Sequence, residues 1–192
     1  MIGVMADPKT DFQQNGYSVL PRFLDDELRQ RLLAHVLERA KDTADLADDK
    51  QVPGTPAIYG DRVMDRLLAR LAPTVGAIVG LQLLPTYSYF RVYRPGDTLP
   101  KHVDRPSCQI SLTLSLGFDA PAPWPIWFGA TAAAPTALTL APGDAAVYRG
   151  MDTPHWREAF TGVYAAQAFL HYVDQNGPHS EWKFDKRPGL TL

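Results

Sequence analysis

Thr86-Tyr-Ser-Tyr-Phe-Arg-Val-Tyr93 alternates along its length and stops at Pro95-Gly96-Asp97. A little further on, Cys108 to Leu116 alternates again. Ile110, Leu112, Leu114 and Leu116 fall on one face, and Ser111, Thr113 and Ser115 on the other. A period of two is the mark of a β-strand, and Pro-Gly-Asp marks a turn. Working outward, Pro125-Ile-Trp-Phe128, Ala137-Leu-Thr-Leu140, Ala145-Ala-Val-Tyr148 and Val163 to Tyr172 read as further strands, each bounded by Pro, Gly or Asp. Many short strands with Pro-Gly turns predict a sandwich or barrel.

Upstream of Leu84 the period changes. Leu28, Leu32, Leu33, Val36 and Leu37 recur at helical spacing after the acidic start Asp25-Asp26-Glu27. Val63, Met64, Leu67, Leu68 and Leu71 form a second stripe after Asp61, a suitable N-cap. Pro73 and Gly76 leave the end of that helix open. Gly16-Tyr-Ser-Val-Leu20 reads as a short strand, Asp42 to Thr55 as a polar loop, and the Ala- and Pro-rich stretch Ala120 to Pro135 as another loop. The expected organisation is one domain over residues 1–192: helical support at about 12–82, a barrel at about 84–174 and a tail at 175–192.

The chain has 192 residues, 45% of them apolar, and a net charge of −2. That length suits one folded unit, and the near balance of charge gives no footprint for nucleic acid or an anionic membrane. No apolar run reaches the ~18 residues of a membrane span, and the first ten residues lack a basic-then-apolar signal pattern. The single cysteine, Cys108, excludes an intrachain disulfide and reads as a small buried residue. The expected setting is a reducing cytoplasm.

Five histidines are present. His35 reads as a helix residue and His179 as exposed. His102-Val-Asp104 follows the first turn, and His155 lies 53 residues on, after the unit Pro142-Gly143-Asp144 and its strand. Two imidazoles and a carboxylate on one face of an ion leave three positions open. That donor set suits non-haem Fe(II), and nothing in the sequence completes a structural zinc site.

Leu99-Pro-Lys-His-Val-Asp104, preceded by Tyr93-Arg-Pro-Gly-Asp97 and followed by Pro154-His155-Trp-Arg157, resembles the Fe(II)/2-oxoglutarate-dependent dioxygenases of the prolyl-hydroxylase-like and phytanoyl-hydroxylase-like branch. Gly16 to Asp26 resembles the first strand and helix of that branch. The resemblance runs from about Phe12 to Asp174. It implies a mainly β fold with supporting α-helices, a double-stranded β-helix (jelly-roll, cupin-like) barrel. It also implies iron held by His102, Asp104 and His155, with 2-oxoglutarate as co-substrate and O2 as oxidant. Members without the carboxylate halogenate, so the presence of Asp104 implies hydroxylation.

The chain departs from the family at one point. The Arg or Lys that usually anchors 2-oxoglutarate, about ten residues after the second histidine, falls near Ala165, where the strand carries no cation. A buried carboxylate favours a guanidinium. Arg91 shares a face with Tyr89 and Tyr93, and Tyr93 matches a co-substrate-contacting tyrosine of the branch. Arg157 is the second candidate, turned inward two residues past His155. Gln167 and His171 share the parity of Ala165 and are expected inside the barrel. Tyr89, Trp156 and His171 are the expected substrate-pocket residues, and Lys101 and Arg105 are expected to face solvent. The missing cation keeps two other readings open, a cupin-like metal enzyme without a keto acid and a non-enzymatic metal-binding barrel. The expected substrate is a small molecule or a peptide side chain, and a homodimer is possible.

Overall fold

The computed structural model describes residues 7–41, 51–129 and 134–192. The alternating stretch becomes β3 (Leu83–Tyr93), and the second becomes β5 (Ile110–Asp119). Both pair antiparallel with the long strand β10 (Tyr164–Asp174), which lies between them. With β1 (Tyr17–Leu20), β2 (Ala57–Tyr59) and β8 (Ala145–Arg149) they form a six-stranded sheet in the order β1-β8-β5-β10-β3-β2. A second sheet has the order β4-β9-β6-β7, built from β4 (Leu99–His102), β6 (Ile126–Phe128), β7 (Thr136–Leu138) and β9 (His155–Arg157). Two antiparallel sheets with supporting helices are the mainly β architecture expected.

The alternation of β5 assigns its two faces to two environments. Leu112, Leu114 and Leu116 are fully buried in the main apolar core, with Leu32 and Val36 of α2 (Asp26–Arg39) and Met64, Leu68 and Val75 of α3 (Arg62–Val79). The leucine face is thus the back of the large sheet, where the helices lie. The Ser/Thr face looks into the barrel. Register shows what accompanies it: Gln167 pairs with both Ser115 and Arg91, Phe169 with Thr113 and Tyr89, and His171 with Ser111. Directly opposed residues of an antiparallel pair share a face. The barrel interior is therefore polar and aromatic, and the oily core lies outside it.

Both helices start where expected, Asp61 as the expected cap and Asp25, read as a first-turn acid, as a cap too. Asp25 accepts from Leu28 N at 2.8 Å, and Asp61 accepts from Val63 N and Met64 N at 2.9 and 3.2 Å. Pro73 is accommodated inside α3, which runs on to Val79 and ends where Gly80 takes φ 76°. The described residues also hold elements the periodicity did not mark: α1 (Pro8–Asn15), the short strands β2, β4 and β9, and 3₁₀ turns at Ser180–Lys186. The two predicted loops are described only in part, since 42–50 and 130–133 lie outside the described residues, as do residues 1–6 of the N-terminal stretch. Among the described residues no helix is long and apolar enough to cross a membrane.

Candidate metal centre and its cavity

His102 closes β4 and His155 opens β9, and the two are direct partners across the small sheet. Their rings therefore leave the same face and lie 4.3 Å apart between centroids. Asp104 reaches them from the loop after β4, where its N–H donates to Gly150 O at 2.9 Å. Asp104 Oδ1 stands 3.5 Å from His102 Nε2 and 3.6 Å from His155 Nε2. Those gaps are long for hydrogen bonds. With bonds of about 2.1 Å they suit donors sharing one ion.

The tautomers fit the same role. His102 Nδ1 donates to Pro100 O at 2.7 Å, and His155 Nδ1 donates to Thr153 O at 2.9 Å. A carbonyl can only accept, so the proton sits on Nδ1 and the Nε2 lone pairs face Asp104. This outer hydrogen bonding is what fixes a metal-ligating imidazole. Burial resists ionising Asp104, but His102, His155 and the Ser111 hydroxyl hold its pKa down at about 2. Burial lowers the pKa of His155. For His102, burial is outweighed by Asp104 and Pro100, and its pKa is raised. Asp104 thus presents a negative charge and His155 a lone pair to one point, while the pull of Asp104 on a cation at His102 is one that a metal ion would take over.

The cluster lines a cavity of about 640 Å³ between the sheets. Of the residues expected there, Tyr89, Arg91, Tyr93 and His171 line it with the triad. Arg91 is buried, and its guanidinium donates to Tyr93 Oη at 2.9 Å and Tyr89 Oη at 3.3 Å. Three expected residues do not line it. Arg157 is buried, donates to Trp124 O at 2.7 Å and stacks on that indole at 4.8 Å, so its charge is directed to the Trp124 loop. Gln167 is buried beside Arg91, its register partner. Trp156 stacks on Trp127, 6.1 Å between centroids, under the Lys101 ammonium, on the face of β9 opposite His155.

Arg105, expected to face solvent, is exposed and also lines the cavity. Arg105 covers the Tyr87 ring at 4.6 Å and makes two hydrogen bonds, of 2.7 and 2.8 Å, to Asp185. Asp185 also accepts from Tyr59 Oη at 2.5 Å. Phe184, Asp185 and Lys186 all take positive φ, 55°, 55° and 61°, so these contacts hold a tight left-handed segment against Tyr59 and Arg105, two residues of the cavity lining. No local signal tied residue 185 to residue 105.

Asp104, Cys108 and His171 also lie close enough to be considered as a second donor set. Their chemistry is that of a hydrogen-bonded wall. Burial pushes the Cys108 thiol up to about 12, so it stays protonated, and it contacts Tyr87 Oη at 3.1 Å. Burial also lowers His171 to about 4, so it is neutral near pH 7. Ser111 Oγ stands between His171 and Asp104.

No family model and no curated protein matches the chain. Solved structures do. A Pseudomonas putida prolyl-4-hydroxylase superposes with TM-score 0.72 at 17% identity, covering 89% of this chain and 99% of that one. The epimerase SnoN in complex with Fe3+, alpha ketoglutarate and nogalamycin RO gives TM-score 0.74 at 14% identity, covering 94% and 89%. EctD from S. alaskensis with 2-oxoglutarate and 5-hydroxyectoine gives 0.72 at 17% identity, covering 98% and 87%. This chain has the double-stranded β-helix fold of the 2OG-Fe(II) oxygenase structures.

Proposed function

We propose that the chain is an Fe(II)- and 2-oxoglutarate-dependent oxygenase that hydroxylates an unactivated C–H bond of a small molecule or a peptide side chain. One observation carries this reading: a three-donor cluster and a buried guanidinium share a single cavity. A dicarboxylate that chelates a metal at one end needs a cation at the other, and Arg91, in the same cavity, would supply it.

His102 Nε2, Asp104 Oδ1 and His155 Nε2 would hold the iron. Iron bound there together with 2-oxoglutarate supplies the oxidising power drawn from O2, with CO2 and succinate released. The protein's own contribution is positional. The Tyr89 and Tyr93 hydroxyls accept from Arg91 and keep the guanidinium turned into the cavity. Leu99, Ile126, Tyr148 and Phe169 line its walls and limit the water inside. Neighbours with the fold are named for prolyl hydroxylation, or hold nogalamycin RO or 5-hydroxyectoine, so the substrate range extends from peptide to small molecule. The low net charge argues against nucleic acid, and the single cysteine suits a reducing cytoplasm. We further propose that residues 1–192 act as one catalytic domain, with a homodimer as the assembly to test.

The decisive experiment is an anaerobic titration of the Fe(II)-loaded protein with 2-oxoglutarate, following the weak visible band of the chelate. The band is expected for the wild type and absent for His155→Ala. For Arg91→Ala the half-saturating concentration should rise at least about thirtyfold, since removing one partner of a buried charged contact costs about 2 kcal/mol or more. No band with iron bound would remove the keto acid from the reading. An unchanged midpoint for Arg91→Ala would remove Arg91 as the anchor.

A further inference from the structure

Asp104 has two oxygens, and the fold treats them differently. Oδ1 faces the two imidazoles. Oδ2 accepts from Ser111 Oγ at 2.8 Å. Ser111 has one hydroxyl proton. Its 2.8 Å contact with a carboxylate is shorter than its 3.3 Å contact with Cys108 O, so the proton goes to Asp104. With that proton used, His171 Nδ1 at 3.0 Å donates to Ser111, whose oxygen the Tyr148 side chain, its register partner on β8, also hydrogen-bonds. The chain of donors runs His171 Nδ1–H to Ser111 Oγ–H to Asp104 Oδ2.

This chain crosses three structural units. His171 comes from β10, Ser111 from β5 and Asp104 from the loop beyond β4, while His171 and Ser111 are register partners. Its far end is packed, since the Tyr87 ring lies 4.5 Å from the His171 ring. Its near end is closed by backbone. A Cβ at Gly150 would lie 2.4 Å from Asp104 Oδ2, 2.7 Å from Ser111 Oγ and 2.2 Å from Cys108 O.

We propose that Ser111, held by His171, is a positioning residue that occupies Asp104 Oδ2 and so makes Asp104 a one-oxygen ligand through Oδ1. The inference rests on the metal-centre reading and adds to it a device that keeps a coordination position open. A carboxylate free to use both oxygens would fill a place that a co-substrate needs. The sequence singled out His171 as an interior residue but did not connect it to Asp104.

The test uses Co(II) as a spectroscopic probe with the full chain, without 2-oxoglutarate or turnover. Wild-type protein should bind Co(II) and show visible d–d bands. Ser111→Ala should bind it on the order of 10–100-fold more weakly, the range typical of losing an outer hydrogen-bonding partner, and with altered band positions and intensities as Oδ2 is released. His171→Phe keeps the ring volume and removes the donor, so it should move both readouts in the same direction. His171→Asn restores an N–H near the Nδ1 position and should return them toward wild type. This His171 pair decides the matter even if Ser111→Ala does not fold. Wild-type affinity and bands in Ser111→Ala, or in His171→Phe if that is the folded variant, would overturn the proposal while leaving the metal centre intact. A wild-type protein that takes up no Co(II) would overturn the metal-centre reading and the proposal with it.

Discussion

Gly150 shows how one residue constrains the site. It is not required for an unusual backbone angle; it is required because nothing larger than hydrogen fits between Asp104 Oδ2, Ser111 Oγ and Cys108 O. Two of those atoms belong to groups that cannot swing away, a backbone carbonyl and a carboxylate already held on both sides. Gly150→Ala should therefore displace Asp104. A clear loss of Co(II) affinity together with a lowered thermal midpoint is the expected result, and calorimetry beside a metal titration checks both. Arg105 makes the opposite point. It follows a metal-ligand candidate directly, yet its partner is Asp185, eighty residues away, and no spacing rule joins them.

At the scale of elements, α3 was legible because its signals are local. Asp61 caps two N–H groups, and the apolar stripe follows within one turn. Asp61 also receives His35 Nε2 at 2.9 Å, which ties α2 to the start of α3. Asp61→Ala should cost about 1–2 kcal/mol, the upper part of the range for a lost N-cap. A urea melt with unchanged slope and a lowered midpoint would show it. The strands β4 and β9 were not legible. Each has three or four residues, too few for alternation to register. Their pairing nevertheless puts His102 opposite His155, so the least visible elements assemble the site.

At the scale of the whole molecule, the buried polar interior makes stability depend on pH. Burial lowers His171 from 6.5 to about 4, so the folded metal-free protein leaves this group neutral where the unfolded chain has begun to bind a proton. The unfolded state then holds more protons, and stability falls as pH drops from about 6.5 toward 4. At about 1.4 kcal/mol per pH unit, His171 alone accounts for a loss on the order of 3 kcal/mol across that window. Denaturant midpoints of the metal-free protein at a series of pH values should show the fall. His171→Phe should flatten it, and an equally steep curve in that variant would assign the effect to other groups.

The sequence by itself determined the strand and helix periods, the helix starts at Asp25 and Asp61, and the three metal-ligand candidates. These depend on side-chain order within a few residues of one chain, and alternation, capping and His-x-Asp spacing are local properties. Only the tertiary structure decided which face of β5 is the core, because both the helices and the second sheet offer a surface to cover. It also separated Arg91, turned into the cavity with Tyr89 and Tyr93, from Arg157, turned to Trp124, although each has the parity of an inward residue. Parity fixes the side of the sheet from which a side chain leaves. Where a long guanidinium ends depends on acceptors brought in from distant segments, and only the folded chain places those.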